Sequence, residues 1–271
     1  RKLIITVAAS APTLYYYCYY HSGMGGQANT NSTTGSSNFN GSIQSITKAN
    51  TTAGFSIITY TGTGSAGATV GHSLGVKPDY IIIKCRSNGD NWMVYHNQSN
   101  GGTDPEDYYY ELNSNGGPVN STIMLNDTAP TSTIVTLGGD NSVNGSGRTY
   151  VMYAFNSVEG YSKFGGYTGY LPATGKGSFV YTGFRPEFLI IKKEASEFRP
   201  MFDSKRDPNN PCAARLFPSY NYAESQEVVV DFVSNGFKAR NGGGASIISS
   251  PGVSYIYWAF AESPFKNSRA R

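Results

Sequence analysis

The sequence predicts an all-β protein: two tandem homologous β-sandwich or jelly-roll-like domains after an incomplete strand pair. Three observations carry this. The stretch Gly75-Val76-Lys77-Pro78-Asp79-Tyr80-Ile81-Ile82-Ile83-Lys84 returns as Gly183-Phe184-Arg185-Pro186-Glu187-Phe188-Leu189-Ile190-Ile191-Lys192, a little over a hundred residues later. Tyr60-Thr61-Gly62 likewise matches Tyr167-Thr168-Gly169, and Tyr150–Phe155 matches Tyr255–Phe260. Three blocks in one order, at a spacing the size of a small domain, mark a tandem duplication rather than a solenoid. Second, the composition is 14% aromatic with 21 Tyr and only 14% charged, which suits pleated strands and lacks the Ala/Leu/Glu/Lys runs of helices. Third, turn signals such as Asn88-Gly89-Asp90 and Asn115-Gly116-Gly117 recur between short apolar segments.

In chain order, Leu3–Val7 and Thr13–Tyr17 read as strands separated by the turn Ser10-Ala11-Pro12. The start at Arg1, without Met or a signal-peptide pattern, implies a cut through a domain that spans residues 1–30 here. Residues 31–52, rich in Asn, Ser, Thr and Gly, read as a linker. The first repeat, 53–160, is expected to carry strands at 55–60, 68–72, 79–85, 92–95, 108–112, 122–125, 133–137 and 149–155. Both alternating sets of the last one (Tyr150, Met152, Ala154 and Val151, Tyr153, Phe155) are apolar, so it is expected to be covered on both faces. The second repeat, 161–271, is expected to have strands at 177–181, 187–192, 201–202, 228–233, 236–239, 246–248 and 254–260. Asp207–Cys212, with two prolines, must be a loop, and 213–217 is the one segment suited to a helical turn. Pro78 and Pro186 can only begin their strands, which places Ile81–Ile83 and Leu189–Ile191 in equivalent buried positions.

A net charge of +3 on scattered basic residues excludes a concentrated nucleic-acid face. No apolar run is long enough for membrane insertion as a helix. Cys18, Cys85 and Cys212 are too few and too far apart for a disulfide framework, and Cys85 reads as a small buried apolar residue. Gly62-Thr63-Gly64-Ser65-Ala66-Gly67 matches a dinucleotide fingerprint, but the strand-like Ala68–His72 follows where a helix is needed, so a Gly-rich hairpin is expected. Gly175-Lys176-Gly177 lacks the spacing of a phosphate loop. His72 and His96 stand in no triad signature. The pairs Glu194/Glu197 and Asp203/Asp207 read as solvated loop carboxylates, and Asn-x-Ser/Thr triplets such as Asn120-Ser121-Thr122 follow from composition.

Cys18-x-x-His21-x-x-Met24 is the sharpest local motif: a thiolate, an imidazole and a thioether after a strand. Blue-copper centres use a His₂Cys plane with an axial Met. The stretch resembles the ligand loop of cupredoxins of the amicyanin and plastocyanin type, over residues 1–30 only. In that family the second His lies far upstream, so copper is expected only with an upstream His; no cofactor is expected for the chain as it stands.

Lys48–Gly64, Asn126–Ser132, Tyr181–Pro186, Ser234–Lys238 and Ala259–Lys266 together resemble a tandem β-domain near the C-termini of tail-fibre-like virion proteins of marine bacteriophages, cyanophages included. The resemblance spans about residues 45–271. It implies a non-enzymatic structural or adhesive protein of a virion tail or surface appendage. It also implies a homotrimer that contacts other virion proteins and host surface glycans. From the residues themselves, Tyr- and Asn-rich loops such as Asp107–Tyr110 and Tyr220–Tyr222 are candidates for glycan contact, while core or inter-subunit packing is the expected role of most tyrosines. Two rival readings are a copper electron-transfer protein built on Cys18, His21 and Met24, and a glycan-cleaving enzyme at a fibre tip, which needs two facing carboxylates.

Overall fold

Alternation decides the architecture. In Thr149–Phe155 the side chains of Tyr150, Met152 and Ala154 enter one core, while those of Val151, Tyr153 and Phe155 point the other way and remain partly covered. A computed structural model of the chain describes residues 14–17, 25–28, 35–170, 176–240 and 246–264. The first part holds β1 (Leu14–Tyr17), β2 (Gly25–Ala28), β3 (Ser36–Asn38), β4 (Ser45–Asn50), β5 (Phe55–Thr61) and β6 (Thr69–Gly71). It continues through β7 (Tyr80–Cys85), β8 (Met93–His96), β9 (Tyr108–Glu111), β10 (Val119–Asn120), β11 (Ile134–Thr136), α1 (Asn141–Asn144) and β12 (Thr149–Phe155). The second repeat holds β13 (Ser162–Thr168), β14 (Lys176–Tyr181), β15 (Pro186–Lys193), β16 (Met201–Asp203) and β17 (Cys212–Arg215). It ends with β18 (Ser225–Val233), β19 (Gly236–Arg240), α2 (Ser246–Ser249) and β20 (Ser254–Ala261).

The fold is all-β with antiparallel sheets. An eight-stranded sheet, β10-β9-β8-β7-β12-β5-β4-β3, is faced by the pair β11-β6. A four-stranded sheet, β13-β20-β15-β16, is faced by β14-β19-β18-β17. The order β5-β12-β7-β8 in the first repeat is the order β13-β20-β15-β16 in the second. The register agrees too: Tyr150 pairs with Cys85 and Tyr60, and Tyr255 pairs with Lys193 and Tyr167.

The repeated residues have repeated jobs. Gly75 and Gly183 both take positive φ (77° and 87°), which only glycine adopts freely, just before the buried Pro78 and Pro186. Tyr60 stacks on Tyr150 at 5.1 Å, and Tyr167 on Tyr255 at 5.0 Å. The Tyr60 hydroxyl donates to Val143 O (2.6 Å), and that of Tyr167 donates to Ile248 O. The Tyr150 hydroxyl accepts from Gly145 N–H (2.7 Å), and that of Tyr255 from Ser250 N–H (2.8 Å). Each tyrosine pair thus pins one short helix across the end of its sandwich. Tyr60→Phe and Tyr167→Phe are each expected to cost about 1 kcal/mol, because a carbonyl of the helix loses its donor; urea denaturation of both variants measures this.

Ile81, Ile83, Leu189 and Ile191 are fully buried, each in the core of its own sandwich. A third cluster lies between the repeats. Tyr80, Val94 and Tyr110 from the first meet Phe164, Ile256 and Trp258 from the second. This seam covers the outer faces of β7 and β20, so the two sandwiches stack as layers of one body.

Several expectations are corrected. Within residues 31–52, read as a linker, 36–38 and 45–50 are strands that extend the first sheet. Their buried residues are mostly small and polar: Asn38 donates to Ser73 Oγ (2.8 Å), and Ser45 Oγ donates to Gly71 O (3.1 Å). Only Ile43 adds an apolar plug. Residues 122–125 are turns, since Asn126 and Asp127 take left-handed backbone (φ 53° and 47°), yet Met124 and Leu125 still fill the core. Residues 246–248 are helix, and 213–215 belong to a strand rather than a helical turn.

Candidate functional site

The sequence-predicted metal residues Cys18, His21 and Met24 lie outside the described residues, as does Leu3–Val7. Among the described residues, no group of three or more His, Cys, Asp and Glu is placed to hold a metal ion. Cys85 and Cys212 are buried free thiols.

The other flagged residues serve the scaffold. Gly62–Gly67 is a hairpin held by the buried Asn144, whose Oδ1 accepts from Thr63 N–H (2.9 Å) and whose Nδ2 donates to Ser65 O (2.8 Å). His72 and His96 are both buried. In each, Nδ1 accepts a backbone N–H two residues on: Leu74 at 3.2 Å and Gln98 at 3.1 Å. Nδ1 as acceptor leaves the proton on Nε2, which donates to Thr131 O and Tyr257 O respectively (3.2 Å each). Burial lowers the pKa of both, that of His96 to about 4. Asp207 Oδ2 accepts from Ala213 and Ala214 N–H, and these backbone donors hold its carboxyl below the ordinary range.

The seam between the repeats concentrates charge. Glu194 Oε1 accepts from Asn100 N–H (2.6 Å) and the Tyr110 hydroxyl (2.9 Å), both of the first repeat. Lys192 is fully buried, and its ammonium donates to Asn115 O (3.2 Å), Ala195 O and Glu197 O (2.8 Å each). Burial, then the neighbouring Arg199, lower its pKa to about 7. Arg199, also fully buried, donates to Leu112 O at 2.6 Å and lies 5.9 Å from the Trp258 ring. Backbone carbonyls and the Tyr110 hydroxyl bind these groups and fasten one repeat to the other.

An exposed aromatic ledge stands beside that seam, on the loop between β17 and β18. Tyr220 is 46% exposed and Tyr222 52%. Their ring centroids are 4.2 Å apart, and Phe198 supports both from beneath at 5.6 and 5.7 Å. Phe198 rests in turn on the buried Phe217, over which Arg215 is placed at 5.2 Å. The turn that presents the ledge closes through Tyr220 N–H to Phe217 O (3.0 Å). Ser219 Oγ donates to Asn115 Oδ1 (2.7 Å), so the first repeat helps to hold it. Hydrogen bonding between the Tyr222 and Tyr220 side chains favours the protonated phenol and raises the Tyr222 pKa. Glu224, bound by Arg206 at 2.7 Å, adds a carboxylate close in sequence.

Tyr220–Tyr222 had drawn notice in the sequence as a Tyr-rich loop. Its partner Phe198 and the role of Asn115 had not, because the contacts cross between loops far apart in the chain. In Asp107–Tyr110, the other such loop, Tyr109 and Tyr110 are buried instead.

No curated protein and no solved structure matches the chain significantly. A family of proteins described as a domain of unknown function (DUF7483) matches residues 28–264, across both repeats and the ledge. The chain therefore belongs to the DUF7483 family.

Proposed function

We propose that the chain is a non-enzymatic structural and adhesive protein of a virion tail or surface appendage, whose Tyr220–Tyr222 ledge touches glycans on a host surface. The observation that carries the adhesive part is the ledge itself. Two adjoining tyrosines half out in solvent, on a buttressed turn, are poor core formers and good contact surfaces, since Tyr brings area at little entropic cost. The structural part rests on the resemblance to tail-fibre-like phage proteins and on the stacking of both repeats through one aromatic seam, which suits a stiff appendage. A single ledge gives weak binding, and several copies together raise it by about 10²–10⁴; the resemblance implies three copies.

Tyr220→Ala combined with Tyr222→Ala is expected to weaken binding of the oligomer to host cells or glycan arrays by about tenfold or more, which corresponds to about 1.4 kcal/mol. Phe39→Ser, at a 74% exposed residue elsewhere, is the control and is expected to change nothing. Equal binding by the ledge variant and the parent chain would remove the ledge from the adhesive role.

A further inference from the structure

The two repeats fill one flank differently. In the first, Ile58 of β5 lies opposite Met152 of β12, and both side chains are fully buried. Ile43 bridges to Val70 of the facing sheet and plugs the gap between the layers. The matching pair in the second repeat is Gly165 of β13 opposite Tyr257 of β20. Two apolar side chains are thus exchanged for a phenol and none. A Cβ at position 165 would stand 2.5 Å from the Tyr257 hydroxyl, so the hydroxyl uses the space that the glycine leaves. The edge of β13 is covered at its ends by its own chain. Val158 and Ser162 exchange backbone bonds (3.0 and 3.1 Å). Ser178 Oγ donates to Thr168 O (3.2 Å) and accepts from Tyr170 N–H (2.9 Å). Between these ends the flank opens as a cleft of about 380 Å³.

The groups that line the cleft are short of partners. Tyr257 is 2% exposed, and its carbonyl accepts from His96 Nε2. Its hydroxyl has no hydrogen-bond partner among the described residues. The hydroxyls of Tyr60, Tyr150, Tyr167 and Tyr255, by contrast, all bind backbone groups, as buried tyrosines usually do. Gln98 reaches the cleft from the first repeat. Its Nε2 donates to Asn97 O (3.3 Å), while its Oε1 has no partner among the described residues. The Lys163 ammonium, on the same lining, has no ion pair or hydrogen bond among the described residues. Phe179 and Tyr181 form the remaining wall, 52% and 61% exposed.

This set selects a ligand by its chemistry. A hydroxyl that donates or accepts, an amide oxygen that accepts and an ammonium that donates require a ligand with both donors and acceptors. A lipid chain would leave all three unmet. The faces of the two exposed rings are negative and attract the slightly positive C–H hydrogens of a saturated ring. An unpaired cation calls for a negative group. A ring with an apolar face, hydroxyls on its rim and one acidic substituent meets every demand. The volume lies at the low end for small-molecule sites, which suits a short saccharide. We propose that this cleft binds an acidic saccharide. The Tyr257 hydroxyl and Gln98 Oε1 bind its hydroxyls, Lys163 its carboxylate or sulfate, and Phe179 and Tyr181 its ring. The site shares no residue with the Tyr220–Tyr222 ledge and does not depend on it.

NMR titration of the full chain with uronic-acid disaccharides is expected to give saturable shifts at Gly165 and Tyr181 that weaken as salt rises. Neutral disaccharides of the same linkage are expected to bind about tenfold more weakly. Sulfated disaccharides form the second arm: binding by either acidic class supports the proposal, and the tighter class identifies the charged group. Lys163→Gln is expected to abolish the preference for acidic over neutral sugars. Tyr257→Phe is expected to raise Kd by about three- to tenfold. The thermal melt of that variant without sugar is expected to equal or exceed the parent's, because the hydroxyl has no protein partner to lose; a phenol that served only the scaffold would lower it. Four results would overturn the proposal: no saturable shift with any acidic disaccharide, equal binding of neutral and acidic ones, shifts confined to the ledge around Tyr220 and Tyr222, or parent-like binding by Tyr257→Phe.

Discussion

Trp258→Ala is expected to destabilise the chain by about 3–5 kcal/mol, the range for emptying a buried aromatic site, and to separate the unfolding of the two repeats. Trp258 is 3% exposed at the centre of the seam. Its ring meets Tyr80 edge-on at 5.0 Å and His96 at 5.5 Å, and the Arg199 guanidinium lies 5.9 Å away. Its cross-strand neighbours are Phe164 and Ile190. Two hydrogen-bonded sheets bound the hole that alanine would leave, so the site cannot close by moving one side chain. The loss falls on contacts between repeats, while each repeat keeps its own core of Ile81, Ile83 and Met152 or of Leu189, Ile191 and Tyr257. Calorimetry is expected to resolve one transition in the parent chain and two in the variant. A single transition with a loss under about 1 kcal/mol, the scale of an ordinary substitution, would mean that the seam adds little to cooperativity.

Acidification is the second large effect. His96 is fully buried and neutral in the folded chain, with its pKa lowered to about 4 by burial, against about 6.5 when unfolded. Between these values the unfolded chain binds the proton and the folded chain does not. Stability is therefore complete above pH 6.5 and falls as pH drops toward 4, by about 3 kcal/mol from this residue. Its surroundings offer no relief: Nδ1 is already an acceptor, and the nearby Arg199 is a cation without an ion-pair partner among the described residues. His72 shifts in the same direction. Denaturant titrations at pH 7 and pH 4.5, on the parent chain and on His96→Gln, isolate the contribution. The parent is expected to lose more stability than the variant over that interval; equal losses would show that His96 does not carry the dependence.

Local signals were enough for most strands and for the cores they form. Short apolar segments between turn signals, together with the repeated blocks, placed β5, β7, β12, β15 and β20, because β-branched and aromatic residues bounded by turn residues specify a strand locally. The doubled block around Gly75 and Gly183 marked equivalent positions, because a left-handed glycine followed by a proline is a backbone requirement read locally; Pro186 begins β15, while Pro78 lies two residues ahead of β7. The partial cover on the second face of β12 was legible too, since its second apolar set, Val151, Tyr153 and Phe155, had no use in water. The identity of that cover was not. Phe164, Arg199 and Trp258 reach the first repeat only after the chain has folded back, and no spacing encodes which sheet faces which. The polar strands β3 and β4 were missed because hydrogen bonds to Ser73 and Gly71, rather than apolar burial, hold them. The same holds for the surface that bears on function. The ledge needs Phe198 beneath Tyr220 and Tyr222, and tertiary structure decided it, because those rings find their support on a distant loop.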